Sequence, residues 1–219
     1  MRFEWNKSLC EEVAGQITKD GGEAIAIQTD VSSEAEVAQM TKQTKDKYDR
    51  IDILVNNAAV NLPYRAVVDL TLDEWNRVLK TNLTGPMLCI RAVLPQMIAQ
   101  RSGKITNVSS IGGRRGAAGR TPYRATKAGL INMTESVAAE VKEFGIDVNS
   151  ICPGGVETDM LREITGGNMA ENVMAPEDIA AVAVFLASDE SKAITGAGID
   201  AFGMSNPLFG ASSAIRPER

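Results

Sequence analysis

The sequence predicts an α/β fold built on a mostly parallel sheet, and three observations carry that expectation. Short apolar runs rich in β-branched residues alternate with longer segments of helical period, the order that sets helices between parallel strands. Each run stops abruptly in polar or glycine-bearing residues, as in ILVNN and ICPGG. The chain has 219 residues, 44% of them apolar, which suits one domain (1–219) around one sizeable core.

The elements follow in order. Residues 24–31, AIAIQTDV, read as a strand ending in a polar loop. Ser33 and Glu36 form a capping box, and Val37, Met40, Thr44 and Tyr48 then mark one face of a helix. IDILVNNA (51–58) is a strand of the buried type. Helices over 71–81 and 84–100 lead to a strand at 103–110. Thr121 is the expected N-cap, with Pro122 at the first helical position, of a helix running to Phe144. Its inner stripe is Leu130, Met133, Val137 and Val141. A strand follows at 147–155. Pro176 then opens a helix whose Glu177 and Asp178 complement the dipole. Ile179, Val182, Ala183 and Leu186 are its buried stripe. A last strand is expected at 197–202, with an irregular tail over 203–219.

Composition narrows the chemistry. A net charge of −5 without any Lys/Arg block argues against nucleic acid or an anionic membrane as partner. The start carries no apolar signal region, and the longest wholly apolar run (179–187) is too short to span a bilayer. Three dispersed cysteines without a CxxC read as reduced thiols, so a cytoplasmic location is expected. The chain has no histidine, which excludes His-based triads and makes a zinc centre improbable, so no metal site is expected. Any general acid or base must be a carboxyl, Lys, Tyr or Cys.

Tyr123 and Lys127 stand four apart at the start of a helix and project from one face. A phenol ionises near pH 10, and a neighbouring ammonium lowers that value. Ser110, at the carboxyl end of a strand, can present its hydroxyl to the same substrate oxygen, at the sheet edge where parallel sheets bind ligands. Taken alone, a Tyr–Lys pair at this spacing is also what many solvated helix faces carry.

Five ordered motifs change that weighting: DILVNNAA (52–59), KTNLTG (80–85), NVSS (107–110), YRATK (123–127) and PGGVETDM (153–160). From about residue 20 to about residue 200 the chain resembles the short-chain dehydrogenase/reductase family. The resemblance implies a doubly wound Rossmann-type sheet and the interconversion of a secondary alcohol and a ketone with NAD or NADP. It makes Tyr123 the general acid/base, Lys127 the group that lowers its pKa and holds the nicotinamide ribose, Ser110 the orienter of the carbonyl, and Asn82 the holder of a relay water. Ser110 rather than Ser109 keeps the family's thirteen-residue spacing to the tyrosine. Asp30 and Val31 match positions beside the adenine, Asn57 and Ala58 positions behind the cofactor, and Val156 and Thr158 positions at the nicotinamide end. A homo-oligomer, a tetramer of the family type built on the helices at 84–100 and 122–144, is also implied.

The departures matter as well. Thr126 replaces the usual Ser before the lysine, Ala59 replaces the glycine of NNAG, and DAFG (200–203) replaces Asp-Gly-Gly. No TGxxxGxG loop occurs. The nearest glycine run, GGRRGAAG (112–119), has Ala118 where the third glycine belongs, and by position it lies beside the substrate, where Arg114 and Arg115 either meet an acidic substrate or are simply solvated. Against the family pattern the chain is therefore read as N-terminally truncated by roughly one strand–helix–strand unit. That unit normally supplies the pyrophosphate-binding helix N-terminus and the residue that separates NAD from NADP. PGGVETDM and FLASDE (185–190) are similar to the 3-oxoacyl-thioester reductases, although sugar-acid and polyol dehydrogenases share these words. A non-catalytic truncated paralogue that associates with full-length partners is the alternative from another class.

Overall fold

A computed structural model describes residues 7–168 and 173–203. Strands β1 (Ile53–Asn56), β2 (Gly103–Val108), β3 (Ile146–Pro153) and β4 (Gly198–Ala201) form one sheet in the order β1-β2-β3-β4, with every pairing parallel. Helices α1 (Lys7–Lys19) and α2 (Glu34–Tyr48) precede β1, and between the strands run α3 (Leu72–Leu79), α4 (Gly85–Gln100), α5 (Thr121–Val141), α6 (Asp159–Thr165) and α7 (Pro176–Ala187).

Register assigns the two faces. Leu54 lies opposite Ile105, and Ile105 opposite Val148, so these three point the same way. They meet Ile90, Val93 and Met97 of α4 and Ala138 and Val141 of α5 in the principal core. On the other side α7 packs against β2 and β3. With helices over both faces, β3 is buried at positions of both parities, which is why IDVNSICP reads as a nearly continuous apolar and small-residue run.

One polar ladder crosses this core. Asn56 Nδ2 donates to Asn107 Oδ1 (2.8 Å), and Asn107 Nδ2 donates to Thr134 Oγ1 (2.9 Å), whose hydroxyl donates to the Leu130 carbonyl (2.7 Å). The ladder ties β1, β2 and α5 together, and each buried group in it has a partner.

Several expectations need correction. Residues 24–31 form no strand, because a strand exists only where its backbone groups meet a neighbour's, and no described segment pairs with them. The outer edge of β1 is likewise open among the described residues, and Ile53 and Val55 are 47% and 44% exposed. The capping box at Ser33 is half formed. Ser33 Oγ accepts from Glu36 N–H, but the Glu36 carboxylate turns to the N–H of Asp30. Arg120, not Thr121, is the N-cap of α5, which places Pro122 second in the helix. The buried stripe of α5 adds Lys127, Ile131 and Thr134 to Leu130 and Val141, with Met133 and Val137 at its margin. In α7 only Leu186 is fully buried, while Ile179 and Ala183 line a cleft. The helices expected at 71–81 and 84–100 are joined by a π-helical turn, Lys80–Thr84. The tail beyond residue 203 lies outside the described residues.

Candidate active site

A cleft of about 900 Å³ opens at the carboxyl ends of β1, β2 and β3. Parallel strands deliver their last residues and following loops to this edge, so Asn57 and Ala58, Ser110, and Gly154 with Val156 all reach it. The N-cap and first two turns of α5 add Arg120, Tyr123, Arg124 and Lys127. The dimensions suit a site that encloses a small molecule.

Ser110 caps the short turn Ile111–Gly113, its Oγ accepting from Gly112 N–H at 3.0 Å. The same hydroxyl lies near enough to the Tyr123 phenol to favour its ionised form. Burial pushes the Tyr123 phenol up from its ordinary value, opposed by the nearby Ser110 hydroxyl and by the guanidinium charges of Arg120 and Arg124, and not by Lys127 as the sequence led us to expect. Lys127 is 2% exposed, and its Nζ donates to the Val108 carbonyl at 2.7 Å while lying 5.6 Å from the centre of the Tyr123 ring. Burial pushes its ammonium down to about 8. An ammonium has three donors, so the bond to Val108 leaves Lys127 with capacity for oxygens of a bound molecule.

Asn82 stands apart from the cleft lining. Its Oδ1 accepts from Val60 N–H and its Nδ2 donates to the Val60 carbonyl, both at 2.8 Å, with a longer contact to Thr126 Oγ1 at 3.4 Å. Fully buried within the π-helical turn, it clamps the loop after β1 against α5. Turns of this kind concentrate at functional sites.

The remaining expected residues divide. Val31 joins Asn57 and Ala58 around a second, smaller cavity of about 140 Å³. Val31 also lies against Gly85, where any Cβ would come within 2.8 Å of its Cγ2. Asp30 lines neither cavity, and its carboxylate accepts from Ser32 N–H (2.8 Å) in a local turn. Val156 forms a lone parallel bridge to Met174, and Thr158 caps α6 by accepting from Leu161 N–H. Both line the large cleft. Arg114 is tied to Asp200 (2.8 Å) and to the Gly198 carbonyl (2.7 Å), which removes it from the substrate side.

Sequence reasoning passed over Arg120 and Arg124. Their spacing from Tyr123 and Lys127, at 120, 123, 124 and 127, was the available signal, since those positions share one helical face.

Known proteins agree with this architecture. A family model described as Enoyl-(Acyl carrier protein) reductase matches residues 3–201. The 3-oxoacyl-[acyl-carrier-protein] reductase of Synechocystis sp. is 37% identical over 202 residues, spanning 90% of this chain and 81% of the relative. The 3-oxoacyl-[acyl-carrier-protein] reductase FabG of Staphylococcus epidermidis is 37% identical over 204 residues, spanning 90% and 83%. The crystal structure of levodione reductase superposes with a TM-score of 0.84 at 28% identity, covering 89% of this chain and 82% of that one. The chain belongs to the short-chain dehydrogenase/reductase family of oxidoreductases.

Proposed function

We propose that this chain interconverts a secondary alcohol and a ketone by hydride transfer with NAD or NADP, Tyr123 acting as acid/base. The observation that carries this reading is the convergence of Tyr123, Ser110 and Lys127 on one cleft in a chain that has no histidine. A nicotinamide held there would supply the hydride acceptor for alcohol oxidation and the hydride donor for ketone reduction.

The residues around it fit that task at the nicotinamide end. Lys127, whose Nζ has N–H donors beyond its bond to the Val108 carbonyl, would hold a ribose hydroxyl, and Val156 and Thr158 line the same cleft. Asn57, Ala58 and Val31, which line the smaller cavity, would lie behind the cofactor and beside its adenine, with Asp30 next to Val31 in the chain. Tyr123 Oη takes the alcohol proton as the C–H electron pair departs, so one hydride and one proton leave together and a C=O bond forms. Ser110 donates to the same oxygen and holds it in line with the phenol. The guanidinium charges of Arg120 and Arg124 and the helix N-terminus lower the cost of the transient phenolate. Asn82, whose side-chain amide is bonded to Val60, would hold the water of the proton relay.

The relatives named as 3-oxoacyl-[acyl-carrier-protein] reductases support a narrower alternative, reduction of a 3-oxoacyl thioester. Subunits associate as a homotetramer through the outer faces of α4 and α5, where Met87 is exposed, and the protein works in the cytoplasm. The acid/base assignment is tested by Tyr123→Phe. It should abolish turnover of every alcohol the parent oxidises while leaving dinucleotide binding unchanged. Activity within tenfold of the parent would refute it.

A further inference from the structure

The first turn of α5 gathers cations where a helix least favours them. Arg120 is the N-cap and Arg124 lies one turn on, and no acidic residue occupies that first turn. A helix N-terminus carries about half a positive charge and stabilises anions, so the arrangement is electrostatically uphill as it stands. Neither guanidinium has a carboxylate partner among the described residues. Arg120 donates to Tyr64 Oη (2.9 Å) and stacks 4.4 Å above that ring, and Arg124 donates to the Arg115 carbonyl (2.6 Å). The Nε–H of each is buried and finds no acceptor. An orphaned buried donor costs roughly 1–3 kcal/mol, and because these two Nε atoms have no accessible surface, a ligand would meet the remaining terminal N–H donors of the two guanidinium groups.

Their position says what that ligand is. Both arginines line the cleft, and both act electrostatically on the Tyr123 phenol. Gly112 keeps this corner open, since a Cβ there would meet Arg124 Cγ at 3.3 Å and Ser110 Oγ at 3.4 Å.

We infer that Arg120 and Arg124 together bind the carboxylate of a hydroxy-acid or oxo-acid substrate, holding its carbinol or carbonyl carbon beside Tyr123. The inference rests on the alcohol–ketone chemistry proposed above and adds the substrate class. Guanidinium groups meet carboxylates through paired N–H donors, which fixes orientation as well as affinity. A neutral thioester offers no such acceptor. Arg114 takes no part, being already paired with Asp200.

The test compares three molecules that share one carbinol: 3-hydroxybutyrate, its primary amide, and its N-acetylcysteamine thioester. Calorimetric binding to the chain should favour the carboxylate over the amide by roughly ten- to a hundredfold, the usual effect of hydrogen bonds to a charged group. Arg120→Gln and Arg124→Gln should each shrink that ratio, and Arg124→Lys should restore part of it. Equal binding of carboxylate and amide by the parent chain would overturn the inference without any variant. So would tighter binding of the thioester that both Gln variants leave unaltered. Turnover of the same alcohols, read separately, reports on the parent reading. Carboxylate-selective binding without turnover, at dinucleotide concentrations high enough to offset weak binding, would sink the hydride-transfer proposal and leave the anion site standing. Turnover without carboxylate selectivity would do the reverse.

Discussion

Replacing Lys127 with Met should change how stability depends on pH, and the structure fixes both sign and size. Lys127 is 2% exposed, and its ammonium is pushed from the ordinary 10.5 down to about 8. The difference corresponds to a penalty of roughly 3 kcal/mol on the charged form in the folded protein. Because the folded value lies below the unfolded one, the unfolded chain binds more protons between pH 8 and 10.5, and stability rises with pH across that window. Below pH 8 the full penalty is present. Integrated between about pH 7 and pH 9, the parent should gain roughly 1 kcal/mol that Lys127→Met does not. Burial raises the Cys89 and Cys152 thiols, and these act in the opposite direction as pH climbs past 9. They are common to both proteins and cancel in the comparison. Urea denaturation of parent and variant at both pH values measures the difference. Parallel pH dependence in the two would show that Lys127 is not a buried charge and would remove the physical basis for its place in the site.

Three further outcomes are expected. Gly113→Ala should destabilise by roughly 1–3 kcal/mol, because its Cβ would lie 2.7 Å from the Lys127 carbonyl oxygen, a backbone atom that cannot swing aside; an unchanged urea midpoint would contradict this. Ile53→Lys should reduce light scattering of the concentrated chain, since Ile53 is an exposed apolar residue on an open strand edge, and equal scattering would argue that another surface drives association. Titrated calorimetrically, NAD and NADP should bind these 219 residues far more weakly than micromolar, because the sequence offers no TGxxxGxG turn whose N–H groups would meet the pyrophosphate. Micromolar affinity would show that another segment, such as 112–119, holds the phosphates.

The parts of the fold legible in the sequence are those fixed by local chemistry. Period and length placed β2, β3, α4, α5 and α7 to within a few residues. Polar stops after ILVN and after ITNV marked the ends of β1 and β2, which deliver Asn57 and Ser110 to the cleft. What depends on a distant neighbour was not legible. AIAIQTDV has every strand preference, yet without a paired backbone it forms none. Glu36 sits at capping-box spacing but turns to Asp30, six residues away, which pattern alone does not foresee. The catalytic candidates emerged through ordered motifs rather than through Tyr–Lys spacing, which is too common to be decisive. The arginines beside them emerged only when the fold set them in the cleft lining, bonded to Tyr64 and to the Arg115 carbonyl rather than to a carboxylate.

The central claim is that the C–H pair of a secondary alcohol passes directly to a nicotinamide while Tyr123 receives the proton. Oxidation of a carbinol-deuterated 3-hydroxy acid by the chain, at dinucleotide concentrations high enough to offset weak binding, tests it most directly. Deuterium should appear on the reduced nicotinamide and none in the water. Deuterium released to solvent, or ketone formed without label on the cofactor, would contradict the account.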